Sequence, residues 1–390
     1  MDNWKHKILV LTGILSCVCR WDPSVFPKAI LFALCFVPLI YTVSHTLSSH
    51  KLLVNLPLTW YGVFLILVVL SLIYTANQID AFDAVRRCLL SFLLVFVFSQ
   101  NISEKKDFFC ILIGFVFGGV LSLLVAFINE YSLIGSGRLG VVTCGAATTF
   151  SSILLIGFSS SFFLIHFWQK KIFYLFVAIF VFGIVLSGSR MPLIIMAPIY
   201  VIFSLSKSKN LLKIVKKAFF VCAIIAIGAF AVMNHPILYQ IAGHRIETMI
   251  DTFQHGSDFK TDSSLEGREQ LKINAMIIWE KNPVLGAGVN CFWVLSPFTV
   301  GRATSHCGFT EILCSFGIVG FILYYWPFVL VVFRLRKMQY AISRVSSLIL
   351  LVFLITDWQG VSFLSSANVL FYAFLFSILH KKTNGIDWLN

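Results

Sequence analysis

Apolar runs of roughly 17–25 residues, the length that a bilayer core of about 30 Å asks of a helix, recur along the whole of this chain. Inside a bilayer each run must satisfy its own backbone hydrogen bonds, so the spanning element is helical. Composition agrees, with 58% hydrophobic and 12% charged residues among 390 and a mean hydropathy of +0.90. No ordinary water-soluble surface can be assembled from such a chain. A lone signal peptide is excluded, because the runs continue far beyond the start. The expected spans are 6–19, 27–43, 58–75, 84–99, 108–128, 143–166, 171–188, 190–206, 215–233, 309–333, 343–357 and 361–379. They make about twelve and fix the fold class as an all-α integral membrane protein. Residues 1–233 hold spans 1–9, residues 234–305 form one long polar insertion with helices, and residues 306–390 hold spans 10–12 and a tail.

Charge orients the threading. With both termini inside, the near-side ends and loops hold eighteen basic residues against four acids, and the far side twelve against thirteen. The excess of positive charge on short near-side loops sets the expected orientation, and with it a multi-pass protein with cytoplasmic termini. The pI of 9.3 therefore reports topology and anionic lipid rather than nucleic acid. Lysine follows the rule, with fifteen of nineteen on the near side, but eight of the eleven arginines fall on the far side. Arginine there needs a reason other than orientation, and capture of a lipid-linked phosphate supplies one.

The polar insertion is patterned. In 243–253, Ile246, Met249, Ile250 and Phe253 recur at helical spacing, as an amphipathic helix requires. A second helix is expected to start near Ser263 or Ser264 and to stop at Asn282-Pro283, with Leu271, Ala275, Ile278 and Trp279 on its apolar side. Arg268 in its first turn opposes the helix dipole, a penalty that a bound phosphate reverses. Gly286 and Gly288 permit a close turn, and His306 follows at the mouth of the next span. Eight of the ten cysteines lie in or beside spans, where they pack as small hydrophobes. Cys291 and Cys307 have two readings, a disulfide in an oxidising compartment or two packing thiols. No zinc spacing, P-loop, dinucleotide fingerprint or Asp-x-Asp pair is present, so neither a metal nor a cofactor is expected and a cytosolic nucleotide-driven enzyme is disfavoured.

Each candidate also has a structural reading. Arg190, in the SGSRMP turn, is either a snorkelling anchor or a site residue, and Arg268 is either a solvated helix charge or a phosphate ligand. Arg138, Arg245, Arg302 and Glu311 are further candidates for donor or acceptor contacts, while Arg86 and Arg87 suit the outer end of their own span. The chemistry that uses such parts is displacement of a polyprenyl pyrophosphate. Guanidinium forks hold the diphosphate and offset the charge growing on it, and a histidine with an ordinary pKa of about 6.5 accepts the proton of the attacking hydroxyl.

Three stretches, SGSRMPLI at 187–194, GREQLKINAMIIWEKNPVLGAGVNCF at 267–292 and SHCGFTEILCSFGIVGFILYY at 305–325, resemble in order and pattern the signatures of the O-antigen ligase and polymerase superfamily. The resemblance covers roughly the last half of the chain. It implies a GT-C-like, metal-independent, inverting glycosyltransferase of a bacterial inner membrane, acting on its periplasmic face. The implied donor is a glycan on undecaprenyl pyrophosphate, and the acceptor is a lipid-linked repeat unit for a polymerase or lipid A core for a ligase. A chain-length regulator is a further implied partner. The paired pyrophosphate-binding arginines of the family map onto Arg190 and Arg268, and its catalytic histidine maps onto His306. Where many relatives have His-Asn, this chain has His306-Cys307. The polymerase is the leading expectation and the ligase the runner-up. A flippase for the same lipid-linked sugar is the alternative of another class, disfavoured by the lack of half-to-half similarity.

Overall fold

The computed structural model describes residues 2–133, 137–206, 234, 239, 263–297, 304–335 and 341–380. Among them there is no strand. The α-helices are α1 (Asp2–Val18), α2 (Lys28–Ser49), α3 (Leu56–Leu70), α4 (Gln78–Asn101), α5 (Lys105–Glu130), α6 (Val141–Cys144), α7 (Ala147–Phe167), α8 (Phe173–Ser187), α9 (Arg190–Ser206), α10 (Ser263–Lys281), α11 (Phe292–Leu295), α12 (Gly308–Arg334), α13 (Ala341–Thr356) and α14 (Ser366–His380). A helix stands at every expected span except 215–233, which lies outside the described residues, as does the amphipathic stretch 243–253. Among the described residues, five segments are by length and composition alone long and apolar enough to cross a membrane: Lys28–Ser49, Leu56–Ile73, Lys105–Glu130, Ala147–Phe167 and Gly308–Arg334, the last interrupted at Gly317.

The described residues fall into two compact units, one from Met1–Leu34 and Lys106–Thr261, the other from Cys35–Lys105 and Asp262–Asn390. In the first unit, small residues let helices approach closely, as bilayer helices do when no aqueous hydrophobic effect drives them together. A methyl group on Gly114 of α5 would lie 2.4 Å from the Val10 carbonyl oxygen of α1. Methyls on Gly119 and Gly157 would both strike the ring of Phe180, on α8. Hydroxyls inside the helices return to their own backbone, as Ser159 does to Leu155 and Ser161 to Gly157, so these buried polar groups do not face apolar surroundings unbonded.

The second unit is built around aromatic rings. Trp60 and Phe64 on α3 contact Tyr324 on α12 at centroid distances of 5.4 and 4.9 Å. The buried indole N–H of Trp60 donates to the Tyr324 carbonyl at 2.8 Å. Asparagines start two of the helices, Asn55 accepting from Leu58 N–H before α3 and Asn77 from Asp80 N–H before α4.

One expectation is corrected here. The run 309–333 is not a single straight span, because α12 breaks at Gly317, whose φ of 60° and ψ of −161° are non-helical. Phe309 stacks on Tyr325 at 4.9 Å, whereas sixteen residues of continuous helix would separate them by about 24 Å. The halves 308–316 and 318–334 therefore fold back on each other as a hairpin with Gly317 at its tip. Hydropathy registers only that both halves are apolar, and the reversal lies in one glycine.

Candidate functional site

A break in a helix frees backbone groups that must find partners. At the tip of α12 they find residues 283–288, which cross it as a strap. The N–H groups of Ile318 and Val319 donate to the carbonyls of Pro283 and Val284 at 2.9 and 3.2 Å. Those of Ala287 and Gly288 donate to the carbonyls of Cys314 and Ser315 at 2.8 and 2.9 Å. One short segment thus caps both half-helices, which explains the glycines of NPVLGAG. Gly286 (φ +69°) and Gly288 (φ +91°) adopt left-handed backbone, and a Cβ on them would lie 2.4 Å from Phe316 N and 2.3 Å from Thr75 Cα. Beyond the strap, Thr75 Oγ1 donates to the Val289 carbonyl at 2.9 Å, anchoring it beside the end of α3.

The strap continues directly from α10, which runs from Ser263 to Lys281 and stops before Asn282-Pro283. Its inward residues Ala275 and Ile278, with Leu271 partly buried, pack on Ala287, Cys291, Phe292 and Cys314. Arg268 and the strap thus belong to one continuous piece seated on the half-helix 308–316. Cys291 and Cys307 are both free thiols. The sulfur that Cys291 approaches is that of Cys314, at 3.6 Å.

At the other end of 308–316 stands His306, half-buried and with a φ of +55°. Burial, and next the positive charge of Arg268, hold its imidazole below the ordinary histidine range. The backbone around His306 is tightly fastened. The buried carboxylate of Glu311 accepts the Ser305 N–H at 2.7 Å. Ser305 Oγ donates to the Cys307 carbonyl at 3.0 Å and accepts from Thr310 Oγ1 at 3.1 Å.

Asp357, not among the candidates drawn from the sequence, also belongs to this neighbourhood. Its carbonyl accepts the Gly308 N–H at 2.6 Å, and its carboxylate Oδ2 accepts the Tyr325 hydroxyl at 2.9 Å. It is buried. The signal in the sequence is an acid in a short turn between two apolar runs, an expensive placement without a task.

Arg138 and Arg190 lie in the first unit. Helix α8 closes at Gly188, in the left-handed conformation, and α9 opens at Arg190. The guanidinium of Arg138 holds this turn, Nε donating to the Ser187 carbonyl at 3.1 Å and an Nη donating to Ser189 Oγ at 3.0 Å. Ser189 Oγ in turn donates to the Ala147 carbonyl at 3.2 Å. Ahead of it, the buried carboxylate of Glu130 accepts the N–H groups of Gly140, Val141 and Thr143 and the hydroxyl of Thr143, ordering the loop that carries Arg138. Arg86 and Arg87 are both paired with Asp83 on their own helix, Arg87 Nε at 2.7 Å. Arg245 and Arg302 lie outside the described residues.

Residues 175–325 match the family model Wzy_C, described as O-Antigen ligase. Over that stretch the chain is similar to the O-antigen ligase and polymerase superfamily, whose members are glycosyltransferase-like ligases and polymerases. The matched stretch runs from α8 through the strap to Tyr325 and so contains Arg190, Arg268, His306 and Glu311. No curated protein matches the chain.

Proposed function

We propose that this protein is an inner-membrane glycosyltransferase that polymerises undecaprenyl-pyrophosphate-linked oligosaccharide repeat units on the periplasmic face. The observation that carries the reading is geometric: Arg268 lies on the helix seated on the half-helix 308–316, and His306 stands at the end of that half-helix, where burial and next the charge of Arg268 lower its proton affinity. A neutral imidazole accepts a proton, and a guanidinium whose charge acts on the same place suits a phosphate leaving group. In the reaction, a hydroxyl of the acceptor sugar attacks the anomeric carbon of the donor. The bond from that carbon to the pyrophosphate oxygen breaks, its electron pair leaves with the pyrophosphate, and the hydroxyl proton passes to a ring nitrogen of His306. A single displacement inverts the anomeric centre. Arg268 offsets charge on the leaving group, and the resemblance gives Arg190 the same role. Protein groups alone supply this chemistry, without a metal or a cofactor.

The ligase is the second reading, favoured by the description of the matching family. The flippase reading draws on the broken helix, a feature of transporters. Here the freed backbone groups at Gly317 are taken by the strap, rather than left to coordinate cargo. The test is to incubate the purified protein with a lipid-linked repeat unit, with and without lipid A core. Polymer formed from repeats alone supports the polymerase. Product only when core is supplied replaces it with the ligase, and movement of intact lipid across a vesicle bilayer without transfer replaces both.

A further inference from the structure

A histidine serves as a base only if its ring is aimed, and His306 sits in a backbone conformation that L-residues enter at a cost of about 1–3 kcal/mol, persisting only where the surroundings over-determine it. The residues able to impose that conformation are few. On the C-terminal side, Gly308 N–H is fixed by the Asp357 carbonyl at 2.6 Å. On the N-terminal side, Ser305 N–H is held at 2.7 Å by one oxygen of Glu311, while the longer bonds of Ser305 Oγ to the Cys307 carbonyl at 3.0 Å and of His306 N–H to Thr304 Oγ1 at 3.4 Å stay within the turn itself. Glu311 is itself rooted in the first turn of 308–316, its own N–H donating to the Cys307 carbonyl at 2.9 Å. The carboxylate and the peptide it grips therefore lie on either side of His306, joined through one turn of helix. Glu311 is 2% exposed, so its carboxyl group is withdrawn from solvent for an interaction with backbone.

The geometry points to Glu311 as the positioning residue of His306: by clamping the Ser305 amide it sets the left-handed turn at His306 and so the direction of the imidazole. This changes its expected role from a donor or acceptor contact to one exerted through the backbone, and it rests on the reading of His306 as the base.

The test uses the full chain in lipid nanodiscs with three variants, Glu311→Gln, Glu311→Met and His306→Gln. Gln keeps an oxygen acceptor at the same reach and Met keeps the bulk without it. Glu311→Gln is expected to retain turnover within about threefold of the parent, with the acid limb of its pH profile unmoved. Glu311→Met is expected to lose tenfold or more in kcat, with KM for the lipid-linked donor little changed, as an interaction that orients rather than binds predicts. A Glu311→Gln variant as inactive as Glu311→Met overturns the proposal, because the charge itself would then be needed. A Glu311→Met variant with unimpaired turnover overturns it equally. Should Glu311→Met fail to fold, Glu311→Gln decides alone. A readout independent of turnover is the rate of carbethoxylation of the His306 imidazole by diethyl pyrocarbonate, followed by peptide mass spectrometry. It should change in Glu311→Met and not in Glu311→Gln, and an unchanged rate in both overturns the positioning role. If His306→Gln keeps full turnover, the base assignment has failed instead, and carbethoxylation still reports whether Glu311 sets the geometry.

Discussion

Gly317 is the residue on which the hairpin of α12 turns, and replacing it with alanine tests the whole account of the strap. Its dihedral angles, φ 60° and ψ −161°, lie in a region occupied almost only by glycine, where a side chain costs about 1–3 kcal/mol. Steric contact adds to that. The new methyl would sit 2.3 Å from the Val284 carbonyl oxygen, 2.4 Å from its carbon and 2.7 Å from Leu285 N, all backbone atoms that cannot rotate away. The strap must move, and its four hydrogen bonds to the half-helices are each worth about 0.5–1.5 kcal/mol net. Losing half of that set brings the total to about 2–6 kcal/mol. Two other glycines isolate the contributions. Gly145 has a φ of +71°, and a methyl group there would meet nothing within 4 Å, so Gly145→Ala carries only the left-handed penalty of about 1–2 kcal/mol. Gly267 in α10 has open space and no positive φ, so Gly267→Ala should stabilise by about 0.5–1 kcal/mol. Thermal scans of the purified variants at one fixed rate, followed by circular dichroism, should rank Gly267→Ala highest, then the parent, then Gly145→Ala, with Gly317→Ala well below. If Gly317→Ala melts together with Gly145→Ala, the strap does not bear on the tip of the hairpin and the reasoning fails.

The neutral imidazole is the active form of a base, so the depressed pKa of His306 should keep turnover constant as pH falls to about 6.5, the ordinary value, with the acid limb below it. Arg268→Gln removes the charge but not the burial, so the limb should move toward higher pH while a smaller depression remains; a limb that stays in place would separate Arg268 from His306. The same shift acts on stability, because the unfolded chain protonates first: the contribution of His306 is complete above about 6.5 and is lost as pH falls below it. Arg138→Lys cannot reproduce a fork on both the Ser187 carbonyl and Ser189 Oγ, so KM for the lipid-linked donor should rise about tenfold, the equivalent of roughly 1.4 kcal/mol. Arg87→Lys, more than a third exposed and paired locally with Asp83, should change it less than about twofold; steady-state kinetics showing the reverse order would refute both assignments.

The parts legible in the sequence were those written in periodicity and punctuation. Runs of apolar residues announced the helices because a bilayer leaves the backbone no other economical choice, and Leu271, Ala275 and Ile278 announced the buried side of α10 because one face repeats at 3.6 residues per turn. The hairpin in α12 was hidden because it rests on the dihedral angles of Gly317 alone, in a stretch whose hydropathy is uniform on both sides. The glycines of the strap were visible as a close turn, but what they approach, the ends of two half-helices about thirty residues further along the chain, is a tertiary fact without a local signature. Asp357 stands out in the sequence only as an acid between two apolar runs, because its partners Gly308 and Tyr325 are distant along the chain.

The far-side arginines now divide by what surrounds them rather than by which side they were expected to occupy. Arg86 and Arg87 share the one carboxylate of Asp83 on their own helix, which engages both guanidiniums locally and offsets one of their two charges. Arg138 has its guanidinium on the SGSR turn, so its charge sits beside that turn while its hydrogen bonds maintain it. Burial, and next the charge of Arg268, lower the proton affinity of His306, and a negative group at this place would raise it again. Phosphate is such a group: its approach would relieve the repulsion on an imidazolium just as the acceptor proton is transferred. Donor binding would thereby strengthen His306 as a base at the moment of reaction, and the guanidinium that adds to burial in lowering its resting proton affinity would hold the leaving group.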